Sequence, residues 1–298
     1  MDKLTSNWRR FGPVLVTVLL GICAYQFIPA ADHADAPILV GTTRQDANLT
    51  DLHAFTVGRN LVLALSTNAA IPPSATSYVF PSDVTFEIHI DMDAAMEVLD
   101  PMGMGGTILD PHRIGEEITF RIRFREDGSA QLQRIGKGMK NDELQLVNFF
   151  AGLRDDPFIR GPRQGRNVAS IVLETPLDSL HLKQDMVLIW ATSKVDEFDG
   201  QFHDLAGRAL RSMFPEMQQM NVWFPRLQQQ KTGMIPDVMI YDLSKPAAFP
   251  NGRALEDDVV DIVGDSRVLA NDSPFPATND VPFLTTFPYL APPHSPVP

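Results

Sequence analysis

The residues best suited to chemistry are Asp91-Met92-Asp93, with Asp100 and Asp110 in the loop that follows. Carboxylate oxygens on a flexible connection suit a hard cation, so calcium is the ion expected at Asp91 and Asp93. The spacing departs from the calcium-loop pattern. Counted from Asp91, the fifth position is Ala95 rather than a ligand, and the sixth, where glycine makes the sharp turn, is Met96.

Asp32-His33-Ala34-Asp35 sets an imidazole between two carboxylates, which either binds a transition metal, orients a base, or caps local backbone. His203-Asp204, and His89 with Asp91, repeat the pairing and read as structural, because chance supplies such neighbours in a chain this acidic. Gly136-Lys137-Gly138 is not a phosphate-binding loop, since Gln131 stands where the earlier glycine is required. No GxSxG, HExxH or strand-following GxGxxG occurs, so no catalytic residue is assigned.

Composition narrows the classes further. The net charge of −12 disfavours nucleic acid or an anionic membrane surface as partner. The single cysteine, Cys23, excludes an intrachain disulfide framework, a cysteine-rich zinc site and an iron-sulfur cluster. No cofactor is expected beyond calcium at Asp91 and Asp93.

The elements that must hold these groups are mostly strands. Leu52 and Ala54, then Leu61, Leu63 and Leu65, alternate about a Gly58-Arg59-Asn60 turn and predict a half-buried hairpin. Val84, Phe86, Ile88 and Ile90 face one way while Thr85, Glu87 and His89 face the other, the cleanest strand pattern in the chain. Ile118 to Phe124 repeats the alternation, and Asp127-Gly128 turns it back into AQLQRI. NVASIVLETPL and MVLIWATSKV predict two more strands, the second apolar enough to be buried on both faces.

Helices are expected at VNFFAGL, in one or two pieces between Gln201 and Gln230, and at LEDDVVDIV, with Asp257, Asp258 and Asp261 projecting away from Val259, Val260 and Ile262. The Met/Gly-rich excursion from Ala94 to Gly115 is either loop filler or an adaptable contact surface. The expected fold class is mainly β: an antiparallel β-sandwich with helical insertions.

Location is set by Phe11 to Ile28, an uncharged apolar run of roughly 27 Å as a helix against a hydrocarbon core of about 30 Å. Lys3, Arg9 and Arg10 precede it, so the positive-inside bias places the N-terminus in the cytoplasm. The divisions expected are a cytoplasmic stretch 1–10, a transmembrane anchor 11–28, a periplasmic β-rich domain 29–272 and an extended Pro/aromatic tail 273–298. Cleavage as a signal peptide is the other reading. Cuts after Ala30 or Ala31 would put Ile28 or Pro29 where a small residue is wanted, which favours a retained anchor in a bacterial inner membrane.

Several segments together resemble the bacterial family called domain of unknown function 4331. They are DHADAP with DANLTDLHAF, FEIHIDMD before EEITFRIRF, FAGLRDDPF at 150–158, DLAGRALRSMFPE at 204–216, FPNGRALEDDVVDI at 249–262 and NDVPFLTTFPYLAPPH at 279–294. The resemblance implies an exported, β-rich protein and no established activity. It also implies a short DxDxDG-like loop after FEIHID; the longer insertion from Ala94 departs from it, which bears on any inherited calcium site.

The function expected is that of a non-catalytic, membrane-anchored accessory subunit of an envelope complex, photosynthetic or respiratory. Its partners would be integral membrane subunits, along which the tail could lie or, instead, fold back across its own domain. The alternative is a secreted module that binds calcium or carbohydrate. A hydrolase using Asp/His chemistry at His33 or His203 is the third class, and no sequence feature names a substrate for it.

Overall fold

The computed structural model describes residues 44–68, 71–72, 74–96, 106–136, 145–159, 165–197, 204–210, 219–265 and 276–294. The segment 11–28, the Asp32/His33/Asp35 cluster, Asp100, Gly138 and His203 lie outside them. No helix among the described residues is long and apolar enough to cross a membrane.

The alternating segments form strands. They are β1 (Leu49–Val57), β2 (Asn60–Thr67), β3 (Val84–Asp91), β4 (Ile118–Phe124), β5 (Ala130–Gly136), β6 (Asn148–Asp155), β7 (Asn167–Pro176), β8 (Met186–Val195), β9 (Asp204–Ala206) and β10 (Met239–Asp242). Two short helices follow the chain's later turns, α1 (Pro225–Thr232) and α2 (Val259–Asp265). The strands make two antiparallel sheets, β1-β2-β7-β6 and β10-β8-β3-β4-β5, with β9 joined to β8.

Period-two side chains explain how the sheets meet. Leu61, Leu63 and Leu65 of β2 lie opposite Thr175, Leu173 and Ile171 of β7, while Phe86, Ile88 and Ile90 of β3 lie opposite Ile122, Phe120 and Ile118 of β4. All of these apolar residues belong to one buried core between the sheets. Each fully buried Leu, Ile or Phe contributes about 1.5–3 kcal/mol relative to exposure, so the facing rows dominate the fold's stability.

Local chemistry fixes the ends. In the β1–β2 turn, Gly58 has φ +59°, the left-handed first position of a primed two-residue hairpin, whose twist matches the strands. On the free side of β1, Ala54 exchanges backbone hydrogen bonds with Arg253, and Gly252 N donates to Ile240 O of β10. This segment bridges the two sheets and covers the edge of β1. Gly252 has φ +65°, and a Cβ there would stand 2.8 Å from Ala54 O, so only glycine allows the approach.

Three expectations are corrected. VNFFAGL is strand β6, because Phe149 to Leu153 finds a complete ladder on β7, pairing Phe150 with Val172 and Gly152 with Ser170. Of the one or two helical pieces expected between 201 and 230, the described residues hold α1 and a 3₁₀ turn at Gln219–Val222, while Asp204–Ala206, counted into the helical period, is strand β9. Asp257 and Asp258 do not project from α2. Asp258 Oδ1 accepts from Asp261 N as an N-cap, and Asp257 Oδ2 accepts from Phe249 N and Ala254 N, so both carboxylates meet backbone donors.

The tail is irregular, as its prolines dictate, and it packs on its own domain. Leu290 is buried with Val62, Ala64, Val172 and Leu255 on the outer face of the first sheet, and Phe283, Phe287 and Tyr289 pack around them. The outer face of the second sheet is covered near Leu188 and Trp190 by Ala94, Ile108 and Ile114 of the Met/Gly excursion and by Leu205 and Val238.

Candidate functional site

Asp91 closes β3 by turning its carboxylate onto the backbone. Oδ1 accepts from Asp93 N (2.9 Å) and Ala94 N (3.0 Å), and Oδ2 accepts from Gly115 N (2.8 Å). One side chain thus holds both ends of the 94–115 excursion, the job an Asx turn does over a shorter span. Glu117, one residue before β4, accepts from Met92 N at 3.1 Å.

These contacts bring Asp91, Asp93 and Glu117 together, each with one oxygen within 4.8 Å of the others. Glu117 is the member that reading the sequence missed. It lies across an insertion, and only the β3–β4 register returns it to Asp91. Asp110, noted with that cluster in the loop beyond it, stands at the start of a 3₁₀ turn at Pro111–Arg113, where its carbonyl accepts from Arg113 N.

Burial and the charge of Glu117 raise the pKa of Asp91, while the three amide donors oppose the rise. Asp93 is at the surface, where Lys183 Nζ sits 3.0 Å from Oδ2. A hard cation in this cluster would take an oxygen from each carboxylate and would compete with Lys183 for Asp93.

His89, the other histidine near Asp91, is spent on structure. On the outward face of β3 its Nδ1 meets Thr119 Oγ1 (3.0 Å), its Nε2 meets Thr192 Oγ1 (2.9 Å), and its ring stacks on Trp190 at 5.1 Å. Burial lowers its pKa to about 4, so the ring is neutral at physiological pH. Glu87 beside it is buried yet charged, held by Arg121 (2.7 Å) and Lys194 (2.6 Å). The polar face expected on β3 is real, but cross-strand partners on β4 and β8 satisfy it in place of water.

A second cluster has no precedent in the local sequence. Asp155 at the end of β6, Asp280 and His294 each place one ligand atom within 4.8 Å of the others. Burial, and next the charge of Asp280, push the Asp155 carboxyl up to about 7 against the opposing hydrogen bond from Asn279. The only signal that could have found it is the polar residues Asn279, Asp280 and His294 scattered through an otherwise Pro/aromatic tail.

An open groove of ≈ 460 Å³ lies elsewhere on the surface, with Phe55 and Leu243 beside the polar Ser244, Lys245 and Glu256. Comparison with known proteins adds nothing to this geometry: no protein-family model, no curated protein and no solved structure matches the chain.

Proposed function

We propose that the chain is a non-catalytic accessory domain, tethered by residues 11–28 and contributing a rigid β-sandwich to an envelope membrane complex. The observation that carries the reading is how the chemistry-bearing side chains near the sheet centres are used. His89 is enclosed between two threonines and a tryptophan, and Glu87 between two cations, so these groups tie strands together. The basic residues before the apolar run support a cytoplasmic N-terminus and a periplasmic body. The resemblance to domain of unknown function 4331 rests on the quoted segments alone, and it supports export without naming an activity.

Mild-detergent extraction of the native protein, with mass spectrometry of its N-terminus and companions, tests this. Co-purification in fixed ratio with integral membrane subunits and an intact Met1 is expected. A free monomer trimmed near Ala31 would overturn it.

A second reading, a secreted calcium-binding module, is favoured by the convergence of Asp91, Asp93 and Glu117. It requires thermal stability to rise with added calcium and the rise to vanish in Asp93→Ala. A flat calcium response in the parent protein disposes of it.

A further inference from the structure

The C-terminal segment is fastened at both of its ends to one place, the region around the end of β6 and the start of β7. At one end Asn279 Nδ2 donates to Asp155 Oδ2 (2.5 Å), and Asp280 Oδ2 accepts from Gly165 N (2.7 Å). At the other, His294 N donates to Asn167 Oδ1 (2.8 Å), and Asn167 Nδ2 donates to His294 O (3.3 Å). Between these anchors the chain runs over the outer face of the first sheet and buries Leu290.

The two fastenings deliver the His294 ring to the carboxylates. Nε2 lies 2.7 Å from Asp155 Oδ1 and 3.4 Å from Asp280 Oδ2. It is sealed from solvent and stands off the hydrogen-bonding direction of either oxygen. At 2.7 Å the nitrogen and the Asp155 oxygen stand as an ion pair does, and the three donor atoms lie close enough together for one ion to be held between them.

We propose that Asp155, Asp280 and His294 bind a first-row divalent transition metal, zinc by preference, and that the ion clasps the C-terminal segment to the sandwich. The donor set selects the class. One imidazole with two carboxylates suits a borderline ion, whereas the all-oxygen cluster at Asp91 suits a hard one.

The spacing agrees. Tetrahedral ligands at about 2.1 Å from zinc stand about 3.4 Å apart. The Nε2 to Asp280 distance, 3.4 Å, has that value already, and the 2.7 Å approach to Asp155 needs to open by less than 1 Å. Asn279 on the second oxygen of Asp155 and the Gly165 amide on Asp280 supply the outer hydrogen bonds that orient metal carboxylates. Two carboxylates balance the ion's charge, which offsets the cost of enclosing Asp155. Asp280 lies at the surface, so an ion has a route in and a fourth position for water.

The rival is a proton: His294 in its charged form can bridge the same carboxylates as an ion pair. The test uses the full-length chain in detergent, stripped with chelator and titrated separately with zinc, cobalt and calcium. Zinc should bind one to one and raise Tm, and cobalt should give the visible absorption of a low-coordinate site. His294→Gln and Asp280→Asn should each weaken zinc binding at least tenfold, Asn279→Ala about tenfold, and Asp93→Ala not at all. Cobalt absorption on the unaltered protein keeps the test sound should a variant fail to fold. No zinc-dependent rise in Tm, or an equal rise in His294→Gln, overturns the proposal and leaves the proton in place of the ion.

Discussion

The ends of β3 and β6 each gather three metal-capable side chains, yet they are built in opposite ways. At β3 the carboxylate of Asp91 is satisfied by backbone amides from its own loop and from Gly115, so the cluster exists once two adjacent strands have paired. At β6 the partners of Asp155 come from residues 124 positions away and beyond, and the cluster exists only while the tail is docked. The first is a consequence of strand pairing; the second is a fastening between parts that would otherwise separate. An acidic cluster therefore says little until one asks which contacts persist without it.

Removing residues 273–298 gives the largest effect and breaks the comparison at its root. It bares Val62, Ala64 and Val172 and deletes buried Leu290, costing at least about 4 kcal/mol at 1.5–3 kcal/mol per side chain. Urea unfolding should show a much lower midpoint. An unchanged midpoint would mean that the tail is an ornament, free to lie along a partner.

Asp91→Ala comes next. It strands three backbone donors in a buried site and should cost about 3 kcal/mol, whereas Asp93→Ala at the surface should stay within error by thermal melting. Equal losses would show that the β3 cluster is a tie between side chains, like the one at β6.

The smallest effect is on pH dependence. His53 is wholly enclosed beside Arg253, and burial first, then that positive charge, hold its pKa well below the ordinary 6.5. The folded state thus binds fewer protons than the unfolded state below 6.5, so this contribution is complete above 6.5 and is lost as pH falls toward the lower folded value. His53→Gln should flatten the acid side of the stability profile, read as urea midpoints between pH 7 and pH 5. A parallel shift of the whole curve would assign His53 to packing alone.

How much the sequence revealed follows from the range of the forces involved. β3 and β4 were legible because alternation is a local property, and Phe86 and Ile122 each announce their face without reference to the other. The Gly58 turn was legible for the same reason. VNFFAGL misled because a short apolar run carries no period of its own, and only the free edge of β7 makes it a strand. Asp91 and Asp93 were found as neighbours in sequence, while Glu117 required the register across an insertion. His294 and Asp155 required the whole fold.

The position of the tail in the chain also has a bearing on biosynthesis. A polypeptide emerges N-terminus first, so β1 to β8 can pair before residues 276–294 exist outside the ribosome. Throughout that interval the nascent sandwich displays Val62, Ala64 and Val172 without Leu290, Phe283, Phe287 and Tyr289 over them. A stalled or truncated product would be a paired but sticky intermediate, the kind of species that holding chaperones and proteases recognise.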